Sequence, residues 1–358
     1  MDNIYWENAL NSIFDIPPSP SAPQVADSGK LFPQLTDGPT QLRHHNAPSQ
    51  VVTPPASDGS SVFEGEEPFP DHDVQESTVV SVSTTFHPLA NLIPIPSDLT
   101  LISSDDIYFY VHTTQVLSAS TNRFNNIVSP DRAISDKAGN GLGLVARVSE
   151  TAVVLNIILH CVYGISFTRY KPALDTLITV VDAMPSYGLS PKTFVAPSTL
   201  LYASILGQAP LRPVLVYALA ARHDLYELAK PVSSYLLSLR INSISDEVMR
   251  QIGPVYLKRL SLLQVERERM LKQLLFPPPH PHAATQQCDF EEQKKLARAW
   301  ALATAYLAWD ARPDLPPSAI QSTLSSLADY IPCHLCKKGL ADRIRHLLIQ
   351  WSFVKRTI

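Results

Sequence analysis

SDLTLISSDDIYFYVHTTQVLSASTNRFNNIV, residues 97–128, is the stretch from which the fold of this chain is read. It opens with alternation: Leu99 and Leu101 face one way, Thr100 and Ile102 the other. After the polar break Ser103-Ser104-Asp105-Asp106, Ile107, Phe109 and Val111 alternate with Tyr108, Tyr110 and His112. Period-two patterning with β-branched and aromatic residues on both sides of a tight polar turn predicts a β-hairpin. The period then lengthens. Val116, Leu117 and Ser120, followed by Phe124, Ile127 and Val128, recur at three- and four-residue steps, which predicts two short helices lying over the sheet.

The same residues resemble the BTB/POZ domain. That family opens with an Asp-x-x-Leu strand, a turn, a strand ending in His, a helix of the form V-L-x-x-S and then a Phe. Asp98, Leu101, Phe109, His112, Val116, Leu117, Ser120 and Phe124 occupy those places here. FHPLANLIPIPSDL before the hairpin and WSFVKRTI at the end are similar to the large fungal BTB-domain group, so the resemblance runs from Phe86 to the C-terminus. It implies an α+β fold, a small sheet covered by helices, with an all-helical region after it. It also implies a protein-binding role with partners such as a second copy of the chain or a cullin scaffold.

Composition sets the frame. A chain of 358 residues, 45% hydrophobic, is long enough for one or two domains with their own cores. The net charge of -4 hides an asymmetry: residues 1–80 hold twelve acids against Lys30 and Arg43, so that segment carries -10 and the remainder +6. The start MDNIYWENAL has neither a basic opening nor a long apolar run, so no signal peptide is expected. The apolar stretch from Val153 to Val162 is interrupted by Asn156 and His160 and is too short to span a bilayer. Four cysteines without a secretory signal suggest a reducing compartment. The expectation is an intracellular protein of nucleus or cytoplasm.

Five segments follow. Residues 1–85 are rich in Pro, Ser, Asp and Gly and lack periodic apolar positions, so a disordered acidic tail is expected. Ile4, Tyr5, Trp6, Leu10, Ile13 and Phe14 form one apolar-aromatic cluster in it; a tail fragment is the plainer reading, a short helix docking into a partner's groove the other. Residues 86–240 make the BTB/POZ-like domain. Within it, 129–143 reads as a polar loop, 144–148 as a strand, and Ser149 as the N-cap of a helix with Val153, Val154, Ile157, Ile158, Cys161 and Val162 on its apolar face. His160 and Cys161 read as buried structural residues there. Adjacent His223 and Asp224 do not face one another on a helix and make a poor catalytic pair.

Residues 241–275 read as a helical extension capped by Ser245, and 276–287, containing FPPPHPH, as a proline-stiffened linker. Residues 288–358 read as a helical module: Asp289 and Glu292 form a capping box, and Leu296, Trp300, Ala303 and Leu307, then Ile320, Leu324 and Leu327, then Ile344, Leu347, Leu348 and Trp351 recur at helical spacing.

Sulfur supplies the one constellation with metal chemistry. Cys333-His334-Leu335-Cys336 is a C-x-x-C knuckle ahead of a helix, Cys288 precedes the earlier helix, and His280 and His282 lie upstream. Zinc takes four such ligands in a tetrahedron. One knuckle and a distant cysteine make a weaker signal than two knuckles, so unrelated thiols are the plainer reading and zinc ligation by Cys288, Cys333, Cys336 and one histidine the alternative.

Signatures of nucleophile elbows, P-loops, H-E-x-x-H metalloproteases and dinucleotide sites are absent from the sequence. No arginine-rich stripe with interleaved aromatics marks direct nucleic-acid binding. The expected function is a non-enzymatic adaptor, either a substrate receptor for a cullin-type ubiquitin ligase or a subunit of a transcriptional complex. A self-associating scaffold and, from another class, a metal-dependent enzyme are the alternatives. Cullin-binding members of the family often carry a hydrophobic-x-Glu pattern after the helix that ends here near Tyr163. This chain reads GISFTRYKPALD, with no acid before Asp175, which weakens that link.

Overall fold

The computed structural model describes residues 80–128 and 144–358; the expected tail up to residue 79 and the polar loop 129–143 lie outside them. Strands β1 (Leu99–Ile102) and β2 (Tyr108–Val111) pair antiparallel, with Leu99 opposite Val111 and Leu101 opposite Phe109. After helix α1 (Thr113–Ala119), strand β3 (Leu144–Arg147) runs parallel to β1, giving the order β2-β1-β3. The central strand β1 is buried along its whole length, and β2 alternates buried Phe109 and Val111 with half-buried Tyr108 and Tyr110. Residues 80–85, grouped with the tail by composition, cover the outer edge of β2: Tyr108 donates its N–H to Ser81 O and accepts from Ser83 N, both at 2.9 Å. A row of free strand groups is thereby satisfied.

Helices cover this sheet. They are α2 (Ala152–Tyr163), α3 (Leu174–Ala183), α4 (Pro191–Phe194), α5 (Leu200–Leu206), α6 (Pro213–Arg222) and α7 (Tyr226–Val232). The long α8 (Asp246–Leu275) follows, and α9 (Phe290–Trp309), α10 (Pro317–Ser325) and α11 (His334–Phe353) complete the chain. Ser245 and Asp289 cap α8 and α9 by accepting from Val248 N and Glu292 N, as their capping motifs predict. The fold is α+β and mostly helical. Among the described residues no helix is long and apolar enough to cross a membrane.

Two cores form. The first gathers Leu101, Phe109, Phe124, Ile157, Ile158 and the helices up to α7; the second gathers Trp300, Ile320, Leu324, Leu340, Leu347 and Trp351. The division between them falls inside α8, not at the proline stretch. Ile252, Tyr256, Leu260 and Leu263 belong to the first core, Leu271 and Leu275 to the second. Near its start α8 breaks at Gly253, at φ 72 and ψ 165, just before Pro254. The C-terminus returns to the first core, where Ile358 donates its N–H to Ser233 Oγ at 3.0 Å and accepts from Tyr226 OH at 3.1 Å.

Three expectations are corrected. Residues 121–128 form no second helix. Arg123, Phe124, Asn125 and Asn126 all adopt positive φ, between 52 and 57 degrees, in a left-handed turn. Ser120 Oγ accepts from Phe124 N at 2.7 Å and Asn122 Oδ1 from Asn125 N at 2.9 Å, local bonds that compete with a right-handed helix. Leu117 does not join the core: it is 36% exposed, whereas its neighbour Val116 is fully buried, because α1 turns that neighbour toward the sheet instead. Finally, the N-cap of α2 is Thr151, not Ser149. Thr151 makes no side-chain cap; Asp105 Oδ1 accepts from Ala152 N at 2.7 Å, so the hairpin turn caps the helix packed behind it.

Candidate metal centre

Helix α8 ends at Leu275 and the chain runs into prolines that cannot continue it. Arg343 of α11 holds that run in place, donating from Nε to Pro277 O at 2.9 Å and from Nη2 to Leu274 O. The proline segment therefore lies along α11 and brings His282 to the helix's N-terminal end. The His282 Nδ1–H donates to Ala283 O at 2.7 Å, since a carbonyl only accepts, which leaves the Nε2 lone pair free. A tight turn follows, with Thr285 N to Cys288 O at 3.0 Å and Cys288 N to Thr285 O at 3.3 Å, and Asp289 then starts α9. Cys333 is the N-cap of α11 and Cys336 lies in its first turn, so their side chains share the mouth of the helix.

Four donor atoms meet there. His282 Nε2, Cys288 Sγ, Cys333 Sγ and Cys336 Sγ all lie within 4.8 Å of one another. Nε2 is 3.4 Å from Cys333 Sγ and 3.3 Å from Cys336 Sγ, and Cys288 Sγ is 3.7 Å from Cys336 Sγ. Ligands 2.0–2.3 Å from the centre of a tetrahedron stand about 3.6 Å apart for N and S, and about 3.8 Å for two sulfurs. Cys288 and Cys336 are buried, His282 and Cys333 half-buried. The cavity bordered by Cys288, Cys333 and Cys336 measures about 20 Å³, the scale of a single ion or water, not of a substrate.

Electrostatics separate the three thiols. The Cys336 N–H, pointing out of the helix N-terminus, is the main cause that lowers Cys333 to about 7. Burial pushes Cys336 up to about 12 and raises Cys288 as well. The pair away from solvent therefore needs a cation beside it to give up its protons.

The sequence named the three cysteines as metal candidates and preferred unrelated thiols; the structure brings all three together. Of the two histidines offered as fourth donor, His282 joins them. His280 instead lines a separate cavity with Asp342, Arg343 and His346. Cys161 sits apart on α2, where burial raises it to about 12. His223 and Asp224 also separate: His223 Nε2 meets Asp182 Oδ1 at 2.6 Å, and Asp224 engages Lys192 and Tyr256.

The motif residues at the other end of the molecule have structural partners. Asp98 Oδ1 accepts from Thr113 N at 2.7 Å, at the start of α1. His112, 2% exposed, meets Tyr163 OH through Nδ1 at 2.9 Å and Ile95 O through Nε2 at 3.0 Å. Ser120 Oγ donates to Tyr187 O at 2.7 Å while capping the left-handed turn. Leu101, Phe109 and Phe124 are core residues. Comparison with family models, curated proteins and solved structures found no match to this chain.

Proposed function

We propose that the chain is a protein-binding adaptor, built from a BTB/POZ-like unit and a helical region tied by one structural zinc ion. The observation that carries the first half is where the motif's polar side chains are used. Asp98, His112 and Ser120 each bond to the protein's own backbone or core, holding the hairpin, α1, α2 and the turn after α3 together. Residues spent in this way build a scaffold, and what a scaffold offers others is its outer surface. A second copy of the chain is the favoured partner. A cullin is the weaker one, because residues 164–175 have no acid before Asp175 and their Phe167 is buried. A role in a ubiquitin ligase or a transcriptional complex would both use the same surface.

The zinc reading is supported by the donor set. Three thiol sulfurs and one imidazole nitrogen complete a tetrahedron with no fifth position for substrate, which is the pattern of a structural site. Zinc there would join the proline segment to the residue before the α9 cap and to the first turn of α11.

Light scattering on the full chain, with and without a cullin N-terminal domain, tests the adaptor reading. A dimer or a cullin complex is expected, and a strict monomer that ignores the cullin would overturn it. Metal content tests the zinc: one equivalent per chain is expected, with loss in Cys336→Ser, and a metal-free, fully folded wild type would remove the ion from the proposal.

A further inference from the structure

A second feature lies on the face where α8 meets the C-terminal end of α11 and the residues beyond it. There a groove of about 900 Å³ is walled by Leu262, Val265, Met270 and Phe353 and carries the exposed cations Arg259 and Lys355. Leu262, Val265 and Phe353 are 57%, 59% and 82% exposed, a contiguous apolar lining that water covers poorly. The one acid in the lining, Glu266, is engaged by Arg269 at 2.8 Å, so the groove's uncompensated charge is positive. Its wall is held from below. The buried Arg267 donates to Val354 O at 2.8 Å and Lys355 O at 2.9 Å and stacks over Trp351 at 4.3 Å, which fixes the chain end against α8.

We infer that this groove is the docking site of the chain's own N-terminal segment, residues 2–15. The segment has the complementary chemistry. Trp6, Leu10, Ile13 and Phe14 stand at the i, i+4, i+7, i+8 spacing of one helix face, the pattern by which amphipathic helices fill apolar grooves. Asp2, Glu7 and Asp15 are its only charged side chains, all negative, opposite Arg259 and Lys355. The tether allows it, since the 64 residues from Ile16 to Val79 can extend to roughly 200 Å. An intramolecular ligand occupies the groove at a high effective concentration, so it also competes with any partner that would use the same face.

Amide hydrogen exchange on the full-length chain tests this. Exchange across residues 4–14 is expected to be at least tenfold slower than the intrinsic rate, independent of protein concentration. In Val265→Asp and Leu262→Asp, at side chains more than half exposed, that protection is expected to vanish while the β1 amides stay protected. Trp6→Ala with Phe14→Ala is expected to raise exchange of the groove residues 353–358 in return. Intrinsic-rate exchange at residues 4–14 in the wild type, or protection unchanged by both groove variants, overturns the inference. Protection that disappears on dilution overturns docking in cis and gives the groove to the segment of a second copy.

Discussion

Cys288 and Cys336 stand 48 positions apart in the chain and 3.7 Å apart in space. Between them the chain runs through α9 and α10, so a metal held by both cysteines would staple the start of α9 to the start of α11 within the second core. A ligand that binds only the folded form adds about 2.7 kcal/mol for a hundredfold excess over its Kd. Chelation is therefore expected to lower the unfolding midpoint of the wild type and to leave Cys336→Ser, already metal-free, unchanged. Exchange at residues 285–288 and 333–337 should accelerate on chelation while the β1 amides stay protected. A chelator that shifts both proteins equally would remove the metal from the stability of this region.

The reach of the sequence reading follows the range of the interactions. The β1–β2 hairpin and the caps at Ser245 and Asp289 were legible because each depends on residues within a few positions. The left-handed turn was not, because besides the local bonds to Ser120 and Asn122 it docks through Thr121 on Gly188 O, 67 residues away. The cap of α2 was misplaced because Asp105 supplies it from 47 residues upstream. At the metal centre the donor types were readable but their meeting was not. His282 lies 51 and 54 residues from Cys333 and Cys336, and it reaches them on a proline segment that Arg343 holds along α11.

Leu117 and Phe124 separate the two readings of the hairpin's cover. Phe124 is fully buried with its ring 4.5 Å from that of Tyr187, so Phe124→Ala should cost about 3–5 kcal/mol. Leu117→Ala, on the exposed side of α1, should cost less than about 1 kcal/mol. Urea unfolding of both variants checks this. Equal losses would place Leu117 in the core after all.

Two glycines in the left-handed region should respond differently to alanine. At Gly164, φ 65, an added Cβ meets nothing within 4 Å, so the cost is conformational, about 1 kcal/mol. At Gly188, φ 68, the Cβ would lie 2.5 Å from Asn122 Oδ1 and 2.6 Å from its backbone N. Gly188→Ala must displace the turn that carries Phe124 and should cost more than Gly164→Ala by about 1–3 kcal/mol. Chemical denaturation of the pair measures the difference, and equal costs would mean that the turn does not rest on Gly188.

His160 should make the first core sensitive to mild acid. The side chain is 1% exposed; its Nδ1–H donates to Asn156 O at 2.6 Å, while Nε2 is buried with no partner. Phe86 and Tyr170 meet the ring edge-on, and the Arg169 charge lies nearby. Burial, followed by the repulsion of Arg169, holds the imidazole below its ordinary 6.5. With the folded value depressed, the unfolded chain binds the proton first. The neutral ring's contribution is complete above pH 6.5 and is lost as pH falls toward the folded value. Phenylalanine at this position keeps the edge contacts and cannot be protonated, and losing the bond to Asn156 O costs about 1 kcal/mol at any pH. Because Phe removes the partnerless Nε2 as well as the bond, the pH dependence is the readable quantity: wild type is expected to lose stability relative to His160→Phe between pH 7 and pH 5. Urea midpoints of the two proteins at both pH values provide the measurement. Parallel curves would mean that His160 titrates alike in the folded and unfolded chain, and the acid sensitivity would have to be sought in the carboxylates.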